Sequence, residues 1–146
     1  MKNAFLIVLL SFGTIAGAVA QKAEVFTTRD GAIRGYDAVA YFIMSKPVKG
    51  NEEYVFTYKG AEWFFSSQEN LNLFKESPEK YAPQFGGYCA YAVSQNYTYE
   101  TEPDAFTIVD DKLYLNANIK TSKYWNSRRD ELIPAAIKNW PEVLKK

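Results

Sequence analysis

Apolar and polar positions alternate most regularly between residues 54 and 65. Tyr54-Val55-Phe56-Thr57-Tyr58 and Ala61-Glu62-Trp63-Phe64-Phe65 are rich in aromatic and β-branched residues, with only Lys59-Gly60 between them. That pattern predicts a β-hairpin. With a period of two, Tyr54, Phe56 and Tyr58 share one face of the first strand, and Trp63 and Phe65 share a face of the second. Faces of this kind read as core. From residue 66 the period lengthens. Ser66 followed by Glu69 matches a capping box, and Leu71 and Phe74 then lie three apart on one helical face. Ser77-Pro78 supplies the N-cap and first position of a second helical turn through Tyr81, which Pro83 closes.

The same reading covers the flanks. Residues 21–34 form an arm with at most a short strand or helical turn, marked by Asp30-Gly31. Gly35-Tyr36-Asp37 introduces the apolar run Ala38-Val39-Ala40-Tyr41-Phe42, suited to a buried strand or a short helical turn. Pro47 and Gly50 place a loop over 46–51, and 94–103 reads as a surface loop. Phe106-Thr107-Ile108-Val109 and Leu113-Tyr114-Leu115 predict a second hairpin, whose Asp110-Asp111 connection lacks glycine and so predicts a loop longer than two residues. Thr121 or Ser122 caps a helical segment holding Tyr124 and Trp125. Ile133, Ala136, Ile137, Trp140 and Leu144 then recur at near-helical spacing. Pro134 lies in the first turn of a helix capped by Asp130 or kinks a longer one, and Pro141 is expected to end it. Hairpins, a short central helical pair and a C-terminal helix make the expected fold α+β.

Residues 1–20 carry the pattern of a secretory signal peptide: Lys2, an apolar stretch past Ile15, and Ala18-Val19-Ala20 before Gln21. The expectation is an exported domain, periplasmic or extracellular, without a stable membrane anchor after cleavage near Ala20-Gln21. Composition narrows the chemistry. Seventeen basic residues balance seventeen acidic ones, which gives no footprint for nucleic acid. The chain has no histidine, which excludes His-based triads, HExxH zinc sites and imidazole general bases. No GxSxG elbow, P-loop or GxGxxG motif is present.

The single cysteine, Cys89, stands behind a glycine pair in Gly86-Gly87-Tyr88-Cys89-Ala90-Tyr91. Alone, it cannot close an internal disulfide. It either packs as a buried thiol or lines a small pocket with Tyr88, Gly86 and Gly87, joined by Tyr36, Asp37 and Tyr41 if the fold brings the two motifs together. Asp37 has two readings of its own. It caps local backbone N–H groups, or it lines that site with Tyr36. A redox thiol would require a base or cation beside Cys89, and the neighbouring residues are tyrosines.

The ordered motifs resemble the YHS domain family, in its longer exported members. Tyr36-Asp37-Ala38-Val39-Ala40-Tyr41-Phe42 is similar to the family's opening, although Ala38 stands where a proline is common. Tyr58-Lys59-Gly60, Phe64-Phe65-Ser66, Phe74 and Ser77-Pro78-Glu79-Lys80-Tyr81 are similar to its hairpin and helix. Gly86-Gly87-Tyr88-Cys89-Ala90, Lys112-Leu113-Tyr114-Leu115-Asn116 and Asn139-Trp140-Pro141 follow in order, so the resemblance covers residues 35–144. It implies a non-catalytic binding domain for a small ligand or a metal such as copper, with Cys89 the metal-ligating candidate. It also puts Ser66 and Asn70 where the short members carry cysteines. The alternatives are a structural or protein-interaction domain with an inert Cys89, and a single-cysteine redox protein.

Overall fold

The computed structural model describes Gly17 and residues 21–146; apart from Gly17, the leader pattern of residues 1–20 lies outside the described residues. Among the described residues six strands, in three consecutive pairs, are separated and followed by six helices. They are β1 (Thr27–Thr28), β2 (Gly31–Ala32), α1 (Ala40–Ile43), β3 (Asn51–Tyr58), β4 (Ala61–Phe65), α2 (Gln68–Glu76) and α3 (Pro78–Tyr81). Then come α4 (Ala90–Ser94), β5 (Phe106–Val109), β6 (Lys112–Leu115), α5 (Ile119–Ser127) and α6 (Arg129–Val143), with 3-10 turns at Ile33–Gly35 and Gln84–Gly87. The strands pair only as three separate antiparallel ribbons, β1-β2, β3-β4 and β5-β6. The fold is α+β, and side chains join the ribbons where no larger sheet does.

The first hairpin forms with the register that its pattern requires: Tyr58 faces Ala61 and Phe56 faces Trp63 across the Lys59-Gly60 turn. Both turn residues have positive φ, 50° and 73°, the geometry that suits the twist of a two-residue hairpin. The second hairpin also turns in two residues, contrary to the longer loop expected. Asp110 and Asp111 adopt φ of 49° and 60°. Aspartate enters this left-handed region more readily than most residues because its short side chain bonds to the local backbone.

Phe74 on α2 is fully buried at the centre of the larger core, with the rings of Trp63 and Phe65 at 5.2 and 5.0 Å and that of Tyr58 at 5.7 Å. Burying one such ring contributes about 2–3 kcal/mol. A second cluster gathers Phe85, Ala90, Val93, Tyr114, Trp125, Leu132 and Ala136 under α5 and α6.

Three predicted helix boundaries move, each for a local reason. Ser67, not Ser66, is the N-cap of α2, its hydroxyl accepting from the Asn70 N–H at 3.1 Å, because Ser66 is engaged elsewhere. Asn118 caps α5 instead of Thr121 or Ser122, its side chain accepting from the Thr121 N–H at 2.8 Å. Arg128 holds the N-cap of α6, which leaves Asp130 in the first turn, where its charge suits the positive helix end. Pro134 and Pro141 both lie inside α6, and the helix runs two residues past Pro141. Near a C-terminus the ring removes one backbone bond without blocking the remaining turn.

The arm is tied along its length. The Phe26 N–H donates to the Gly86 carbonyl at 2.9 Å, the Tyr88 hydroxyl to the Ala23 carbonyl at 3.0 Å, and the Lys22 N–H to the Leu144 carbonyl at 3.1 Å.

Candidate functional site

Asp37 is fully buried, and five donors surround its carboxylate. One oxygen accepts from the Val39 and Ala40 N–H groups at 2.9 and 3.1 Å, which caps α1. The other accepts from the Ser66 N–H at 2.8 Å, the Ser66 hydroxyl at 2.7 Å and the Asn70 side-chain amide at 2.7 Å. A buried carboxylate is tolerable only when hydrogen-bonded in this way. Of its two sequence readings, the capping role describes this geometry, and it extends across the fold. Asp37 clamps the start of α1 to the junction of β4 and α2.

Cys89 is 1% exposed. Its thiol donates to the Asn116 side-chain oxygen at 3.5 Å, and the same oxygen accepts from the Tyr91 N–H at 3.1 Å. Burial pushes the thiol's pKa up, against the smaller opposing pull of backbone groups at Ala92, Ala117 and Tyr91. The polar partners of Cys89 do not include Tyr36, Asp37 or Tyr41. Tyr41 is itself fully buried, its hydroxyl donating to the Pro103 carbonyl at 2.8 Å, and burial first, then the Tyr36 and Asp104 charges, hold that hydroxyl far above its ordinary range. The side-chain amide nitrogen of Asn116 is buried without a hydrogen-bond partner among the described residues.

A protonated, enclosed thiol reacts slowly. Iodoacetamide at pH 8 should therefore modify Cys89 in the native protein on the order of a hundredfold more slowly than in urea, because attack waits for an opening that costs about 3 kcal/mol. Mass spectrometry of timed aliquots measures this. Equal rates would mean that the sulfur is presented to solvent.

Gly86 leads to a different place. A groove of about 370 Å³ opens between the arm, the β3-β4 turn, the segment from Glu79 to Gly86, and α6. Tyr58, Trp63, Phe85 and Trp140 supply its rings, and Glu24, Lys59 and Glu79 its charges. Trp63 is fixed by its indole N–H, which donates to the Tyr58 carbonyl at 3.0 Å. Phe85 meets Trp140 edge-on at 5.8 Å, and Tyr88 packs behind Trp140 at 6.2 Å. The Lys59 ammonium bridges to Glu24 at 2.6 Å, and that hydrogen bond is the main cause of its raised pKa. Phe85 takes φ of 57°, an unusual conformation for a bulky aromatic residue, just before Gly86 at 62°. Of the residues expected to bind, only Gly86 lines this groove.

The residues from α1 through α3 to Phe85 can now be compared with known proteins. Residues 39–85 match the family model of the YHS domain. Over that span the chain is similar to the YHS domain. The matched span holds α1, the first hairpin, α2 and α3, and with them Trp63, Ser66 and Asn70; Asp37 and the Gly86-Gly87-Tyr88-Cys89 turn fall outside it. No curated protein and no solved structure matches the chain.

The metal that the resemblance implies does not fit the side chains present. Ser66 and Asn70 do converge, but both spend their donors on the Asp37 carboxylate. Copper(I) and structural zinc require several thiolate or imidazole ligands at one point. Cys89 offers one buried sulfur beside an amide oxygen, and among the described residues no three His, Cys, Asp or Glu side chains form a cluster. Trp63 is core, as its strand pattern predicts, being 1% exposed in the larger cluster, and its ring also reaches the groove; the sequence marks Trp140 only through the family resemblance. Ile137, one turn before Trp140 and 60% exposed, was the available signal: an apolar i, i+3 pair with one member out in solvent.

Proposed function

We propose that this chain is an exported, non-catalytic YHS-type domain that binds a small ligand in the aromatic groove, with Cys89 serving as a packing residue outside it. Export rests on the leader pattern of residues 1–20. The observation that carries the binding reading is the groove itself: about 370 Å³, walled by rings and carrying a few polar groups at its rim. That combination is the usual form of a small-molecule site, at the lower end of the usual size range. A non-catalytic role is supported by the absence of histidine and by the enclosed, protonated thiol.

The test is an ¹⁵N-¹H NMR titration of the domain from residue 21 onward with indole as a neutral aromatic probe. Shifts are expected at the Gly86 amide and the Trp140 indole N–H, reduced at least about threefold in apparent affinity by Trp140→Ala and unchanged by Cys89→Ser. Shifts centred on Tyr91 and Asn116 would instead move the site to the cysteine. No shift at Gly86 or Trp140 would dismiss the groove.

A further inference from the structure

Resting on the groove reading above, we propose that its ligand is a small organic cation: an ammonium group joined to a flat apolar body. The groove's lining carries two carboxylates, Glu24 and Glu79, against one ammonium, Lys59. Lys59 is already committed, to Glu24 at 2.6 Å and over the Tyr58 ring at 5.7 Å. Glu79 has no ion-pair partner within 4 Å among the described residues, although its charge is close enough to act on Lys59. The lip of the groove therefore retains one uncompensated negative charge beside aromatic rings.

An anionic ligand would meet that charge, and the cation in the groove's lining, Lys59, is held by Glu24. A neutral ligand would use the rings alone. A cation gains from both, since ring faces carry negative quadrupole density and attract ammonium groups, as Lys59 over Tyr58 illustrates. The apolar wall formed by Val25, Pro83 and Ile137 takes the rest of the molecule out of water.

Three probes that share one phenyl-alkyl body separate the charge from the body: phenethylammonium, 2-phenylethanol and 3-phenylpropionate. Each is titrated at pH 7 and low salt into the domain from residue 21, following the Gly86 and Trp140 signals. The expected order is cation, then neutral, then anion, with phenethylammonium about threefold or more tighter than the alcohol. Glu79 is exposed, so Glu79→Gln leaves the fold intact, and it should erase most of that difference while leaving the alcohol's affinity unchanged. If the alcohol or the propionate binds as tightly as the ammonium at the same signals, the charge inference is overturned and the groove reading stands. If no probe shifts Gly86 or Trp140, both fall. If those signals instead move with protein concentration alone, a second copy of the chain occupies the groove and the cation proposal is overturned.

Discussion

Replacing Asp37 with alanine should destabilise the domain by about 4 kcal/mol, since it would strand several buried donors at once and each costs about 1–3 kcal/mol. The donors are those of Val39, Ala40, Ser66 and Asn70, drawn from the first helix, the end of the first hairpin and the second helix. Water recovers part of the loss at Ser66, which is half-buried, but none at Asn70, which is 4% exposed. Asp37→Asn should cost less, about 2 kcal/mol, because one oxygen of the same shape remains. The shift in the urea midpoint measures both. A loss below about 1 kcal/mol for Asp37→Ala would show that the carboxylate is not a structural clamp and would reopen its reading as a site residue.

Gly86→Ala should cost about 3 kcal/mol or more, adding a clash to the usual penalty for a side chain at positive φ. A Cβ on Gly86 would lie 1.7 Å from the Glu24 carbonyl oxygen, and neither backbone can yield while the Phe26 N–H is bonded to the Gly86 carbonyl. Gly60 is the matched control. It has φ of 73° but nothing within 4 Å of its would-be Cβ, so Gly60→Ala should cost only about 1 kcal/mol. Thermal or urea unfolding of the two variants side by side separates the conformational cost from the close approach. Equal losses would mean that the arm does not press on the turn. Because the arm also walls the groove, Gly86→Ala should weaken indole binding even where the variant still folds.

Local signals in the sequence carried much of this architecture. The period-two aromatic runs around Lys59-Gly60 and the spacing of Leu71 and Phe74 describe short-range structure, which a chain encodes locally. Asp110-Asp111 misled because turn preference is statistical while the ladder on either side fixes the register. The Ser66 error had a longer reach. Its hydroxyl looked free to cap the helix only because its actual partner, Asp37, lies 29 positions earlier. The groove is harder still to read, being assembled from residues near 24, 58–63, 79–86 and 137–140, with no shared motif. Among the predicted site residues Gly86 belongs to it. Cys89 drew attention as the sole thiol, yet its contacts are those of a packed residue.

One bond of the arm bears on how the domain is made. The Lys22 N–H and the Leu144 carbonyl join the arm to the residue that follows α6. The arm leaves the ribosome well before its partners, since Gly86 follows Phe26 by 60 positions and Leu144 follows Lys22 by 122. The hairpins and α2 can assemble early from neighbours in sequence, whereas this closure of the domain must wait until Leu144 has emerged. Until then the arm stays unclaimed by the fold.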